Sequence, residues 1–420
     1  MTQRTLPENI CFWAFVLTWP FYAIGALFLV GPILAWSLLA LAGFAAYFGE
    51  AVRDDLRIAG PLPPLVLGWI IGMLAMLVVL WVGHMNWDLG LGQTIKSSVG
   101  WAKGWAMIAI FIWVGAVLQI RREVLVRSQN IVGLITLLLF PLMFVAPYIG
   151  LPSRLYVSPL QATGGPGPEY FSVYLFTIDP ETMTPRWQFY APWAPFAGLL
   201  GVTMAIFALE DEKKFWKYSG LLAGVLMIYF SKSRMSLVGL AACLIIPRLM
   251  PYLKYSKAWV VLAGLTSLFA VFGQTVLGLV SDAVEGFRAA RMSSTRVRDT
   301  IQSIGYYRWQ TEAPWFGHGT VERGPHIVEF MPIGSHHTWY ALLFVKGIFG
   351  FFSFLIPMLW HLLAVALDAV RSPRGRLPLA LLLNLLILTF GENIEIEVYL
   401  LWPAFVALGI HTREMLRHPA

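Results

Sequence analysis

The feature that most constrains this chain is its series of apolar runs. A helix that crosses a lipid bilayer needs about 20 mostly apolar residues, and a shorter run suffices where neighbouring helices or local thinning help. Only 13% of the 420 residues are charged and the mean hydropathy is +0.68, whereas soluble proteins carry about 25% charged residues. The sequence therefore predicts an all-α integral membrane protein, one polytopic domain over residues 1–420, with about 12 transmembrane helices. The twelve candidate segments lie at about 10–31, 32–50, 63–84, 104–120, 129–150, 191–209, 217–231, 235–250, 258–280, 337–368, 377–391 and 398–412.

The first apolar run, within MTQRTLPENICFWAFVLTWPF, lacks a small-x-small cleavage site and is expected to remain as the first span. The chain has two cysteines, Cys11 and Cys243, and both lie inside apolar runs. No disulfide and no cysteine-based metal site is therefore predicted.

Basic residues predict the orientation, because cytoplasmic connections of membrane proteins are enriched in Lys and Arg. An even number of crossings puts both termini on one side. If that side is cytoplasmic, it receives 17 of the 30 Lys and Arg, whereas the short outer connections hold six, at Lys96, Lys103, Arg154, Arg186, Lys232 and Arg234. The 17 are Arg4, Arg53, Arg57, Arg121, Arg122, Arg127, Lys213, Lys214, Lys217, Arg248, Lys254, Lys257, Arg371, Arg374, Arg376, Arg413 and Arg417.

Three outer loops are predicted to be long, at about 85–103, 151–190 and 281–335. The second is rich in Pro, Gly and aromatic residues and is expected to be irregular. The third has no Lys but six arginines, whose planar guanidinium groups suit bidentate binding of phosphate. The alternative is that these arginines form ion pairs with the six acidic residues of the loop and hold it together. The six are Arg288, Arg291, Arg296, Arg298, Arg308 and Arg323.

The third loop also has a predicted local structure. Ser293-Ser-Thr-Arg-Val-Arg-Asp resembles a capped helix start, and the helix is expected to continue to about Gln310. Pro314-Trp-Phe-Gly-His-Gly319 then predicts a turn, because Pro and Gly interrupt regular structure. His318, within this turn, is a lesser functional candidate.

Ser231-Lys-Ser-Arg-Met-Ser-Leu237 joins two apolar segments of only about 15 residues. Short spans that meet at polar residues are typical of sites lined by helix ends. The alternative is a tight hairpin from which Lys232 and Arg234 extend to the lipid headgroups.

His336 and His337 directly precede the tenth predicted span. Histidine is the side chain best suited to accept a proton near neutral pH, although a hydrogen-bonded structural role is the alternative. Lys346 lies nine residues further into the helix, where it could pair with Glu392 or Glu395 or reach a bound anion.

Together these segments resemble the O-antigen ligase and polymerase superfamily of bacterial envelope proteins. The matching features are a Ser-Arg pair on an outer turn, an Arg followed by a Pro-x-x-Gly-x-Gly turn, and a histidine before an apolar helix with Gly-x-x-Gly. They correspond to Ser233-Arg234, Arg296 or Arg298 with Pro314–Gly319, and His336-His337 with Gly347-Ile-Phe-Gly350. The spacing to the glycines places His336 at the family's catalytic histidine, and His337 stands where the family usually has asparagine.

The resemblance implies a GT-C-like architecture with a large periplasmic loop, residues 281–335, between helices 9 and 10 that forms part of the active site. It implies a metal-independent, inverting glycosyltransferase of the bacterial inner membrane without a cofactor. The donor is an undecaprenyl-diphosphate-linked glycan, and the acceptor is lipid A–core for a ligase or a second lipid-linked glycan for a polymerase. His336 is expected to be the general base, with His337 as the second candidate. Arg234, Arg296 and Arg298 are expected to bind the diphosphate, with possible support from Ser233, Lys346, Arg308 and His318.

Two other classes of protein remain open. A lipid-linked-sugar transporter or flippase would use charged groups inside the membrane, for which Lys346 and the run Gly391-Glu-Asn-Ile-Glu-Ile-Glu397 are the candidates. A scaffold of an envelope-assembly complex would use the third loop as a docking surface and would consume no substrate. Within the superfamily, the ligase is favoured over the polymerase by the twelve spans and the position of the long loop.

Overall fold

The protein is a bundle of mostly apolar helices. A computed structural model describes residues 3–48, 56, 58, 60–179, 182–289, 292–334 and 337–417. Within these ranges, eight helical segments are long and apolar enough to cross a membrane, and the shorter apolar helix Ala194–Leu209 adds to them. The chain is therefore an all-α, multi-pass membrane protein.

The helices are α1 (Leu6–Val16), α2 (Thr18–Ala23), α3 (Leu27–Phe48), α4 (Pro64–Asn86), α5 (Gly90–Lys103), α6 (Trp105–Val117), α7 (Arg122–Val145), α8 (Ala194–Leu209), α9 (Lys214–Phe230), α10 (Arg234–Leu249), α11 (Ser256–Ala289), α12 (Met292–Glu312), α13 (Thr338–Arg371), α14 (Arg376–Thr389) and α15 (Ile394–Arg417).

One predicted loop is wrong. Residues 85–103, expected as a long outer loop, form α5 over most of their length. Leu91, Ile95 and Val99 recur at every fourth position along one exposed face of α5, which is the spacing of a helical stripe. The helix was not predicted because the mean hydropathy of this amphipathic segment is too low for a typical membrane span.

Helices α6, α8 and α15 form the interior of the bundle. Almost every residue of α8 is buried, and α8 packs along α9. Helix α6 packs along α15, where Gly115 contacts the backbone of Val406. A helix that is apolar on all sides is expected in the centre of a membrane protein.

Within the described residues, the connections between helices contain three small antiparallel hairpins. Two lie in the segment predicted to be irregular, and the third lies in the loop after α12. They pair β1 (Arg154–Val157) with β2 (Ser172–Tyr174), β3 (Thr177–Ile178) with β4 (Pro185–Arg186), and β5 (Glu322–Arg323) with β6 (Pro332–Ile333).

The two ends of the bundle differ in their contacts. At one end, Thr5 donates to the carbonyl of Gln119 at 2.9 Å, and Arg413 donates to the carbonyl of Leu118 at 2.6 Å. The first and last helices of the described chain therefore contact the same connection. The opposite end, which we call the loop end, carries the hairpins, the Ser231–Ser233 turn and the residues that join α14 to α15.

Helix α13 is broken in its N-terminal third. Gly347 has φ +62° and ψ −166°, which separates a segment before the break from a longer one after it. The turn that follows α12 fits into this break: Ile348 N–H donates to the carbonyl of Pro314 at 2.9 Å, and Gly319 N–H donates to the carbonyl of Val345 at 2.9 Å. The Pro-x-x-Gly-x-Gly and Gly-x-x-Gly segments thus form one structural unit.

Candidate functional site

The Ser-Arg segment forms a tight turn between α9 and α10. Lys232 adopts φ +53°, and Ser231 Oγ accepts from the N–H of Ser233 at 3.3 Å. The hydroxyl of Ser236 donates to Ser233 Oγ at 2.7 Å. The serines therefore shape the turn, and Arg234 is the first residue of α10.

This turn lies directly beside the connection between α14 and α15. A Cβ atom on Gly391 would overlap the side chain of Met235, with Sδ 2.7 Å away. Arg234 therefore begins its helix next to the segment that carries Glu392. We call the corner formed by Ser231–Met235, Trp193, Arg298, Thr338 and Glu392 the arginine corner.

Glu392 is the central buried charge of the arginine corner. Its side chain is 2% exposed and accepts from Trp193 Nε1 at 2.9 Å. Its carbonyl accepts from the hydroxyl of Thr338 at 2.8 Å, which fixes the start of α13 against the α14–α15 connection. Burial raises the pKa of Glu392 to about 7, against the opposing effects of Arg298 and the Trp193 hydrogen bond.

Of the two candidate arginines on α12, Arg298 faces the arginine corner. It is half-buried and lies close enough to Glu392 for their charges to interact. Arg296 is exposed, because residues two apart on an α-helix point about 200° away from each other. The buried side chains of Val297 and Ile301 hold the helix in this rotation by packing on Val328.

His337 caps α13, and His336 lies outside the described residues. Nδ1 of His337 accepts from the backbone N–H of Tyr340 at 3.4 Å, and its ring packs edge-on against Tyr340 and Phe390. Only 8% of His337 is exposed, and burial lowers its pKa to about 4. The described geometry therefore gives His337 a capping role.

His318 lies inside the turn that enters the α13 break. Its ring stacks between Trp87 and Phe344, with centroid distances of 5.0 and 4.3 Å. Nε2 lies 2.8 Å from Glu312 Oε2, and Nδ1 lies 3.0 Å from the carbonyl of Phe344. These contacts give His318 a structural role in which both ring nitrogens have partners.

Arg308 joins α12 to the third hairpin. It donates to Glu312 at 2.9 Å and to Glu322 at 2.6 Å, and its hydrogen bond to Glu312 holds the pKa of that carboxyl below its ordinary value. For this arginine the ion-pair alternative describes the structure. The side chain of Arg288 and the whole of Arg291 lie outside the described part of the chain.

Lys346 is buried at the end of the first segment of α13, with 3% of its side chain exposed. Of its two predicted partners, Glu395 faces it, whereas Glu392 faces Arg298. Gly350 provides the space for this lysine, because a Cβ atom there would overlap the Lys346 side chain. Lys346 lines a cavity of about 340 Å³ that also includes Glu395 and Asn393.

The structure thus brings Arg298 and the Ser231–Arg234 turn to the same corner as Glu392. It separates His318 and Arg308 from this corner and assigns them to the support of the loop. The sequence does not indicate that Trp193 is the partner of Glu392, because the Trp193-Ala-Pro segment matches no motif. In the described part of the chain, no group of three or more His, Cys, Asp and Glu residues is arranged to hold a metal ion.

A scan of the chain against protein-family models gives no match, and a search of curated proteins gives none.

Proposed function

We propose that the protein is a glycosyltransferase that moves a glycan from an undecaprenyl-diphosphate donor to a sugar hydroxyl, and that it acts as an O-antigen ligase with a lipid A–core acceptor. In this proposal the chain has twelve spans in a GT-C-like arrangement. It lies in the bacterial inner membrane with both termini cytoplasmic, and the large loop 281–335, between the ninth and tenth predicted spans, is periplasmic together with the arginine corner.

The observation that carries the proposal is the arginine corner itself. Arg234 and Arg298 come from segments more than 60 residues apart in the sequence, and both belong to regions that contact the Gly391–Glu392 connection. Arginine is the residue best suited to bind a diphosphate through paired N–H groups. Two such residues at the end of a helix bundle suit a lipid-linked diphosphate whose headgroup lies at the membrane surface.

The location of the terminal segments supports the proposed topology. Thr5 and Arg413 contact residues 118–119. The start of α1 and the end of α15 therefore lie at the end of the bundle opposite the arginine corner. Many of the basic residues counted above as cytoplasmic, including Arg121, Arg122 and Arg127, lie in the same region. The positive-inside rule then assigns that end to the cytoplasm.

In the proposed reaction, the acceptor hydroxyl oxygen attacks the anomeric carbon, and the bond from that carbon to the diphosphate oxygen breaks. The electron pair leaves with undecaprenyl diphosphate, and Arg234 and Arg298 stabilise the charge that develops on it. Preorganised charge of this kind is worth about 3 to 4 kcal/mol of barrier for each donor that is removed. The hydroxyl proton goes to His336, a step worth about 10²- to 10⁴-fold in rate, and the single displacement inverts the anomeric centre.

Glu392 has a role in this scheme that follows from its position. An ionised Glu392 attracts Arg298 and repels the donor, whereas a protonated Glu392 leaves the guanidinium available for the diphosphate. Its raised pKa of about 7 puts this change near neutral pH. We therefore infer that Glu392 modulates donor binding.

The polymerase reaction uses the same groups, with a second lipid-linked glycan as the acceptor. Transport is the alternative from another class, and one observation favours it. Helix α13 is broken at Gly347 next to the buried Lys346, and discontinuous helices with buried charges are typical of secondary transporters.

The test is transfer by the purified protein in nanodiscs supplied with an undecaprenyl-diphosphate-linked oligosaccharide and lipid A–core. The expected product is a lipid A–core lengthened by the oligosaccharide, with loss of activity in His336→Ala and Arg298→Ala and near-normal activity in the exposed control Arg296→Ala. Extension of one lipid-linked glycan by another would show a polymerase. Movement of the donor across the membrane without any new glycosidic bond would show a transporter, and it would overturn the proposal.

A further inference from the structure

A cavity with several polar and charged lining residues includes Asn393, the residue that follows Glu392 of the arginine corner. It has a volume of about 340 Å³ and is lined by segments of α5, α13, α15 and the turn after α12. Its polar and charged lining residues include Gln93, Lys96, Ser97, Lys346, Asn393 and Glu395. A cavity of this size is at the lower end of the range for small-ligand sites, and it fits about one sugar ring with a substituent.

Lys346 is the buried cation of this cavity, and Gly350 leaves the space in which its side chain lies. The ammonium of Lys346 makes neither a hydrogen bond nor an ion-pair contact with any residue in the described ranges, and Glu395 acts on it only at longer range. A buried charge without a partner costs several kcal/mol. An anionic ligand group in the cavity would supply the missing partner.

The backbone amides that follow the break in α13 already have partners and do not serve such a group. The amides of Ile348 and Phe349, which follow the break in α13, are used by the carbonyls of Pro314 and Trp315. Lys96, on α5, adds a second ammonium to the same lining. Two ammonium groups and one carboxylate leave an excess of positive charge at this site.

The other lining groups indicate what the anionic group is attached to. Glu395 would repel a ligand that is anionic throughout, but its carboxylate can accept hydrogen bonds from hydroxyls. Asn393, Gln93 and Ser97 can both donate and accept. An anionic end and a hydroxyl-rich body together describe a phosphorylated sugar.

Some residues that line the cavity are also close in the sequence to residues of the arginine corner. Asn393 follows Glu392 directly, and Ala341 and Leu342 of the lining follow the His337 cap within one helical turn and a half. We propose that this cavity is the acceptor subsite, in which the two lysines bind the phosphate of a phosphorylated sugar and the carboxylate and amide groups bind its hydroxyls. This inference rests on the proposed function, which assigns the donor to the arginine corner.

The test is equilibrium binding of glucose 6-phosphate to the full chain in phosphatidylcholine nanodiscs, with glucose and inorganic phosphate as separate probes. Glucose 6-phosphate is expected to bind more tightly than either probe. Lys346→Met and Lys96→Met are each expected to weaken it about tenfold or more, which is the worth of a hydrogen bond to a charged group. Lys214→Met, at the opposite end of the bundle, is the matched control and should bind as the unmodified chain does. Lys96 is exposed, so its variant keeps the test available if Lys346→Met does not fold.

The outcomes separate this inference from the proposed function. Unchanged affinity in both lysine variants, or failure of a transfer-competent protein to bind glucose 6-phosphate, overturns the cavity assignment alone. Binding that disappears in phosphatidylglycerol nanodiscs assigns the cavity to a lipid phosphate and overturns the sugar assignment. If the protein binds glucose 6-phosphate through the lysines but forms no glycosidic bond, the proposed transferase function is overturned. The acceptor role of the cavity is then overturned as well. Arg298→Ala should keep its glucose 6-phosphate affinity while it loses donor binding.

Discussion

The backbone carbonyl of Trp315 lies where any residue other than glycine at position 347 would place its Cβ atom. Two segments that are 32 residues apart, from Trp315 to Gly347, therefore meet with no side chain between them. This close contact lets the turn after α12 enter the break in α13. The position of the turn then determines the position of α12, which carries Arg298.

Gly347→Ala should therefore destabilise the protein and reduce transfer. The residue has φ +62°, and a strained backbone position of this kind costs about 1 to 3 kcal/mol, before the overlap with Trp315 is added. Thermal unfolding in nanodiscs measures the effect. Gly264→Ala is the matched control, because that helical glycine has no atom within 4 Å of an added Cβ. Equal unfolding temperatures for the two variants would contradict this account of the break.

Arg298→Ala should weaken donor binding much more than Arg296→Ala. Arg298 is half-buried beside Glu392, whereas Arg296 is exposed on α12. Loss of a charged hydrogen bond to phosphate corresponds to about 1.5 to 3 kcal/mol, or about 10- to 150-fold in affinity. Binding of the undecaprenyl-diphosphate donor to each variant provides the measurement, and equal weakening would remove the distinction between the two arginines.

Donor affinity should fall as the pH rises through about 7, the value to which burial raises the pKa of Glu392. Below this pH the carboxyl is neutral, and Arg298 is free to bind the donor. Above it the carboxylate competes for Arg298 and repels the diphosphate, which as a diester has no proton that titrates near neutral pH. Glu397 also interacts with Glu392 electrostatically, so the Glu392→Gln variant is needed to isolate the effect.

Glu392→Gln should remove this pH dependence and keep the higher affinity throughout. The same comparison tests stability. An acid whose pKa is higher in the folded than in the unfolded protein holds more protons when folded, so stability should fall as the pH rises from 4.5 to about 7. The fall should be absent from Glu392→Gln, and a fall of the same size in both proteins would assign it to other groups.

Local sequence patterns predicted several parts of this structure. The helix expected to end at about Gln310 ends at Glu312, and the Pro314–Gly319 turn is present. The predicted cap Ser293 lies inside α12, which begins at Met292. The turn depends on neighbouring residues, such as Gly317 and Gly319 with positive φ, and so can be predicted from a short stretch. The multi-pass helical character followed from the apolar runs for the same reason.

Pairings between distant residues could not be predicted in the same way. Arg296 and Arg298 flank the buried Val297 on either side, so helical periodicity does not show which one faces Glu392. The sequence also left Glu392 and Glu395 as equal partners for Lys346. That choice depends on the rotation of α15 against α13, which tertiary packing determines.

The two substitutions of His337 by Asn and by Ala should separate its capping role from a catalytic one. Asparagine is a good N-cap residue, and replacement of a cap by alanine costs about 0.5 to 2 kcal/mol. Since His337 accepts from the Tyr340 N–H through Nδ1, we expect His337→Asn to retain stability and transfer. His337→Ala should unfold at a lower temperature and transfer more slowly only in proportion to the folded protein that remains. A His337→Asn protein that unfolds normally but transfers nothing would make His337 the base, and a fully active His336→Ala protein would support the same conclusion.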